Sequence, residues 1–205
     1  KNTIIVFLGD NGGLATSEEW REGPLYTQNS PLKCGKGSMY EGGIRVPFIV
    51  KWNDVVKPDT RNNISIMIED LFPTILHMAR IDDYKVPQTV DGKDIVPLLE
   101  GKNDATFKNR SIVWNFPNIW GNSGPGINLN CAIRRGDWKL IYNYQTRQKE
   151  LYNIPQDIGE NNNLADNNPS KVKELSTILG KTLRQMNAQR PVFSATSKPC
   201  AWPDE

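Results

Sequence analysis

Asp10 and Asn11 follow directly on a short apolar run, Ile4 to Leu8, and precede two glycines. A carboxylate beside an amide oxygen is a pair of hard donors suited to calcium or magnesium. Two ligands cannot fill a six-coordinate shell, so the others must come from elsewhere in the chain or from a substrate. Asp-Asn-Gly-Gly is also strong turn chemistry, and both readings stay open at this stage. Lys36 lies between Gly35 and Gly37. Small neighbours let a backbone approach a ligand closely, and an ammonium there can meet an anion as a point charge. A solvated loop lysine would look the same. Glu41 and Arg45 are spaced for a structural ion pair and not for catalysis. His77 is the only histidine. That excludes a Ser-His-Asp triad around any other histidine and a multi-histidine metal site. No phosphate-cradling GxxxxGK[ST] motif is present.

Cys34, Cys131 and Cys200 lie far apart and form no CxxC spacing. They fit one disulfide with a free thiol, or three buried thiols. A net charge of +2 over 205 residues gives no electrostatic footprint for nucleic acid or an anionic membrane. No apolar run reaches the roughly 18 residues of a membrane-spanning helix. Hydrophobic residues at 38% and charged residues at 23% are ordinary for a globular protein. The chain begins at Lys1, without a signal peptide, and reads as a mature product or as a piece of a longer chain. Asn63-Ile-Ser65 and Asn109-Arg-Ser111 are glycosylation sequons that matter only in a eukaryotic secreted protein.

The elements that must hold these residues divide by texture. Ile4–Leu8 has no polar alternation and reads as a central strand buried on both faces, as in parallel α/β sheets. Ligands in such sheets bind beyond the carboxyl ends of the strands, where Asp10 and Asn11 stand. Residues 9–43 form a long irregular segment, which inside a compact domain is usually functional. Arg45–Trp52 reads as a second strand, with Pro47 at its start. Ile68, Leu71, Ile75 and Met78 recur at helical spacing, and Pro73 suits a first turn, so a helix is placed at about Phe72–Ala79. Beyond residue 105 the runs SIVWNF, CAIRRGDWKLIYNY and KELYNI read as antiparallel strands, with Arg135-Gly136-Asp137 as a hairpin turn. The clearest helix follows, with Ser170 as N-cap and a stripe of Val172, Leu175, Leu179, Leu183 and Met186. The last fifteen residues read as an extended tail. The implied division is residues 1–105, an α/β part, and 106–205, a small α+β part.

DNGG after an apolar strand, then PLKCGKGSMYEGGIRVPFIVKW, DLFPTILHMA and DGKDIVPLL, resemble the second half of type I sulfatases. These are the arylsulfatase-like enzymes of the alkaline-phosphatase-like superfamily. RRGDWKLIYNY, ELYNI and NLA resemble that family's C-terminal subdomain, so the likeness covers most of residues 3–190. It implies an α/β fold, the C-terminal portion of an α/β/α sandwich followed by a small antiparallel sheet packed with a C-terminal helix. It implies that Asp10 and Asn11 ligate a divalent cation, usually calcium, with an acidic pair from the N-terminal half. It implies that Lys36 contacts the sulfate. The family's nucleophile is a formylglycine made from a Cys or Ser in C/S-x-P-x-R. No Cys or Ser here has that context, and the family's other acidic ligands, catalytic histidine and first lysine are not in these residues.

The expectation is therefore the C-terminal half of a calcium-dependent sulfatase acting on sulfate esters, either sulfated carbohydrates or aryl sulfates. This chain alone is expected to be inactive and to bind calcium weakly or not at all. An exported location, whether periplasmic, lysosomal or extracellular, is implied by the resemblance, and export would permit a Cys34 bridge to Cys131 or Cys200. Two rivals stand beside it. One is a non-catalytic folding or binding module whose open sheet edges favour pairing with another chain. The other is a phosphoester or phosphonate hydrolase of the same superfamily.

Overall fold

The computed structural model describes residues 2–15, 27–102, 105–120 and 126–205. The chain forms two compact units, Lys1–Asp10 with Pro47–Arg110, and Asn11–Val46 with Ser111–Glu205. The irregular segment 11–46, placed by sequence order in the first part, groups instead with the second unit. The reason is packing: Met39 and Tyr40 of this segment lie against Ala132, Ile141 and Tyr152 of the second unit's sheet.

In the first unit, β1 (Ile4–Leu8) pairs antiparallel with β2 (Phe48–Trp52), Ile4 opposite Trp52 and Leu8 opposite Phe48. This departs from the expectation of a central strand in a parallel sheet. Among the described residues the sheet has two strands. Its faces alternate in exposure: Ile5 (53%), Phe7 (57%) and Ile49 (62%) look outward. On the inner side a small core forms from Ile95, Leu98 and Phe107, with Phe48, Ile64, Ile66 and Leu99 against it. A 3-10 turn, Ile68–Asp70, leads into α2 in this unit (Leu71–Met78). The buried residue of that helix is Thr74, while Ile68 and Ile75 of the expected apolar face are both 53% exposed. Asp70 organises the unit instead. Its carboxylate takes both oxygens' worth of bonds from Arg110 Nη1 (2.8 and 2.7 Å), and accepts from the backbone N–H groups of Met67 and Lys93. A buried carboxylate needs such a set of donors. Short helices α3 (Val96–Leu99) and α4 (Ala105–Lys108) complete the unit.

The second unit is built on an antiparallel meander, β3 (Ser111–Phe116), β4 (Asn130–Arg135), β5 (Trp138–Asn143) and β6 (Lys149–Asn153). Gly136, at φ 57°, makes the β4–β5 turn. Side chains alternate across a sheet with period two. Cys131, Ile133, Leu140, Tyr142 and Leu151 therefore meet one layer, and Ala132, Ile141 and Tyr152 the other. On the first face lies α5 (Pro169–Gln185), through Leu175, Leu179 and Leu183. The helix starts one residue before the expected cap. Asn168 is the N-cap and Pro169 takes the first helical position, where its fixed φ is already helical. Met186 of the expected stripe is 59% exposed. The end of the chain also differs from a free tail. Val192 bridges to Pro199, and Cys200, Ala201 and Trp202 are buried, Cys200 and Trp202 on the α5 face. Trp202 sits beneath the Arg190 guanidinium at 4.7 Å, and Arg184 holds the Asp204 carboxylate with two bonds of 2.8 and 2.9 Å. On the opposite face, Met39 and Tyr40 cover the sheet. The loop that carries Lys36 is thus the second layer of this unit, which is why residues 11–46 fold with it.

Candidate active site

Two glycine pairs set the backbone around Lys36. A Cβ on Gly12 would lie 1.7 Å from the Gly42 carbonyl oxygen, and one on Gly42 would lie 2.2 Å from that of Cys34. Only hydrogen fits where these backbones cross. The contact is sealed by Gly12 N–H donating to Gly43 O (2.9 Å) and Lys36 N–H donating to Gly13 O (3.0 Å). The segment that carries Asn11 and the segment that carries Lys36 are therefore joined directly. The Asn29 amide donates to the carbonyls of Gly13, Cys34 and Gly42 at 2.9–3.1 Å, tying three passes of the chain together. Lys36 is exposed at the turn of this frame.

Asp10 is exposed at the end of β1, and Asn11 is half-buried with its amide nitrogen donating to Gly12 O at 3.1 Å. A carboxylate and an amide, both oxygen donors, match what a hard cation takes, so their chemistry fits calcium as part of a larger shell. Among the described residues no group of three His, Cys, Asp or Glu side chains gathers as a metal centre.

Just behind the loop lies a group of charges that sequence reading missed. Glu41 opens α1 (Glu41–Ile44), and its carboxylate meets Arg45 at 3.3 Å, as the spacing implied. It also meets Arg134 of β4 at 3.6 Å and Lys139 of β5 at 3.1 Å. Lys139 reaches Glu160 at 2.8 Å, and the Glu160 carboxylate accepts the Glu41 backbone N–H at 2.6 Å. The side chains of Lys139 and Glu160 are fully buried and that of Glu41 nearly so. Burial pushes the Glu41 carboxyl up, but Lys139 and Arg134 outweigh it and hold it below its ordinary value. At Glu160 burial outweighs the pull of Lys139, so its carboxyl stays above the ordinary value. Lys33 lays its ammonium over the Tyr40 ring at 4.0 Å and donates to Glu160 O at 3.1 Å. Tyr40 and Tyr152 both donate to the Glu150 carboxylate, and burial pushes both phenols well above their ordinary range. The signal for Lys139 was present as a lysine inside the apolar run Trp-Lys-Leu-Ile-Tyr, where a strand buried on both faces has no room for an unpaired charge.

His77 is exposed and its ring nitrogen Nδ1 lies 2.6 Å from an Asp94 carboxylate oxygen. The three cysteines are free thiols. A bridge from Cys34 does not form, because Cys34 packs on the loop face of the sheet and Cys131 and Cys200 on the α5 face. Among the described residues no helix is long and apolar enough to cross a membrane.

Residues 34–189 match the family described as N-sulphoglucosamine sulphohydrolase, C-terminal. A sulfatase of Formosa agariphila is 35% identical over 177 residues, covering 83% of this chain and 30% of its own length. The N-acetylgalactosamine-6-O-sulfatase of Bacteroides thetaiotaomicron is 29% identical, covering 87% of this chain and 36% of its own length. A structure of BT4656 in complex with its substrate D-glucosamine-2-N,6-O-disulfate superposes with a TM-score of 0.66 at 25% identity, over 91% of this chain and 35% of that one. The chain spans about a third of the length of these relatives.

Proposed function

Since this chain belongs to the C-terminal family of the N-sulphoglucosamine sulphohydrolases, and so to the type I sulfatases, we propose that it supplies the sulfate-binding side of a carbohydrate sulfatase. The observation that carries the reading is the built frame around Lys36, an exposed ammonium on a backbone locked by glycine contacts and by Asn29. Cleaving a sulfate ester moves negative charge onto oxygen, and a fixed ammonium offsets that charge without having to reorganise. In this reading Lys36 takes that role.

Asp10 and Asn11 would hold the divalent cation, calcium by preference, together with ligands from outside these 205 residues. When bound, that ion supplies positive charge beside the sulfate oxygens. A formylglycine nucleophile would likewise come from outside these residues. Sulfated amino sugars are the favoured substrates, supported by the names of the relatives. Export belongs to the same proposal.

The test is hydrolysis of 6-O-sulfated N-acetylglucosamine and of a chromogenic aryl sulfate by the sulfatase polypeptide that contains this chain. Turnover that stops on removing calcium with a chelator supports the reading. Turnover of phosphate monoesters alone would overturn it. The 205 residues by themselves are expected to show no turnover, and calorimetry is expected to show no tight, stoichiometric calcium binding. A tight site would show that Asp10 and Asn11 find a full ligand set within this chain.

A further inference from the structure

Lys36 stands between two points at which the loop is gripped. Lys33 is held through Glu160 O, and Glu41 through Lys139, Arg134 and the Glu160 carboxylate. All of these grips converge on one sheet face. Arg134 lies directly opposite Lys139 in the β4–β5 register. Like charges opposite one another destabilise a sheet, and here Glu41 enters from the loop and lies against both.

We propose that Lys139 is the positioning residue for the Lys36 loop, fixing through Glu41 and Glu160 where the Lys36 ammonium stands. What Lys36 meets rests on the sulfatase reading, but the grip itself does not. Lys139 touches no substrate in this account and acts through the loop.

Three features distinguish this group from ordinary core filling. A fully buried lysine with two buried carboxylates carries a large desolvation cost, and apolar side chains of similar volume often serve stability as well or better. Glu160 holds a φ of 50°, a left-handed conformation that is strained for a non-glycine residue. Its two halves also work on the loop together, since the carboxylate takes the Glu41 N–H and the carbonyl takes Lys33. The first two features cost stability, and all three fix geometry at the loop.

Two substitutions in the sulfatase polypeptide test this, Lys139→Met alone and Lys139→Met with Glu160→Gln. The pair removes a positive and a negative charge together, so it restores thermal stability that the single change loses. Hydrogen–deuterium exchange is read over residues 33–46 and over α5, alongside kcat and KM for a sulfate ester and the melting temperature. Positioning requires exchange over 33–46 to rise about tenfold or more in both variants while α5 stays protected. It also requires kcat to fall by about 10²-fold in both, because a misplaced ammonium loses charge stabilisation in the transition state, with KM changed much less. If kcat recovers along with the melting temperature in the double variant, the role is structural and the proposal fails. It fails equally if exchange over 33–46 is unchanged in the single variant. Should the unsubstituted protein turn over no sulfate ester, the sulfatase reading fails, and the exchange comparison still decides the grip.

Discussion

At Gly42 a single hydrogen decides whether the loop can form. A methyl group there would lie 2.2 Å from one backbone oxygen and 2.3 Å from another, and neither is the end of a flexible side chain. Gly42→Ala is therefore expected to cost about 1–3 kcal/mol, read as a lower urea midpoint, and to raise amide exchange around Lys36. Unchanged stability would mean that the backbones do not cross so closely. Cys131 gives a second test at this scale. Burial pushes its thiol up to about 12, and a hydrogen bond with Tyr144 only partly offsets that. A folded value above the ordinary one of about 8.5 contributes stability that is complete below pH 8.5 and is lost as pH rises toward 12. Urea midpoints should fall across that window. Iodoacetamide at pH 8 should leave Cys131 unmodified in the folded protein and modify it after unfolding. The Glu41–Arg45 pair was readable from its spacing. Asn29, Lys139 and Glu160 were not, because their partners lie up to 127 residues away in sequence, as Lys33 and Glu160 do.

Elements were legible where one face is buried locally. The β4–β5 hairpin, β3, β6 and α5 stand where pattern and turn residues put them. The stripe of α5 is buried through Leu175, Leu179 and Leu183. Leu179→Ala should cost about 2–5 kcal/mol, against a change within about 0.5 kcal/mol for Met186→Ala on the exposed side. Equal effects in a denaturant titration would contradict this packing. The chain end was misread because proline-rich sequence has no period to follow. Its anchor is Trp202, which lies against the α5 face. Trp202→Ala should cost about 3–5 kcal/mol, far more than an extended tail would. β1 was misread for a different reason. An unbroken apolar run reports burial on two faces, yet Ile5 and Phe7 are more than half exposed, and the partner strand runs antiparallel.

For the molecule as a whole, sequence order suggested two consecutive parts, whereas contacts give two interleaved units. Segment 11–46 belongs with the C-terminal sheet because it forms that sheet's second layer, a relation no local pattern records. The two faces of one four-stranded sheet thus do different work: α5 and the chain end supply stability on one, and the Lys36 loop lies on the other. The central claim is that the loop presents Lys36 to a sulfate ester. The most direct measurement is kcat/KM for a 6-O-sulfated N-acetylglucosamine in the sulfatase polypeptide that contains this chain, compared with its Lys36→Ala variant at matched folded fraction. A loss of about 10²–10³-fold is expected, the scale set by removing one preorganised charge-stabilising donor. Turnover by Lys36→Ala within a factor of about three of the parent, below the roughly 1.4 kcal/mol that a tenfold change represents, would contradict it.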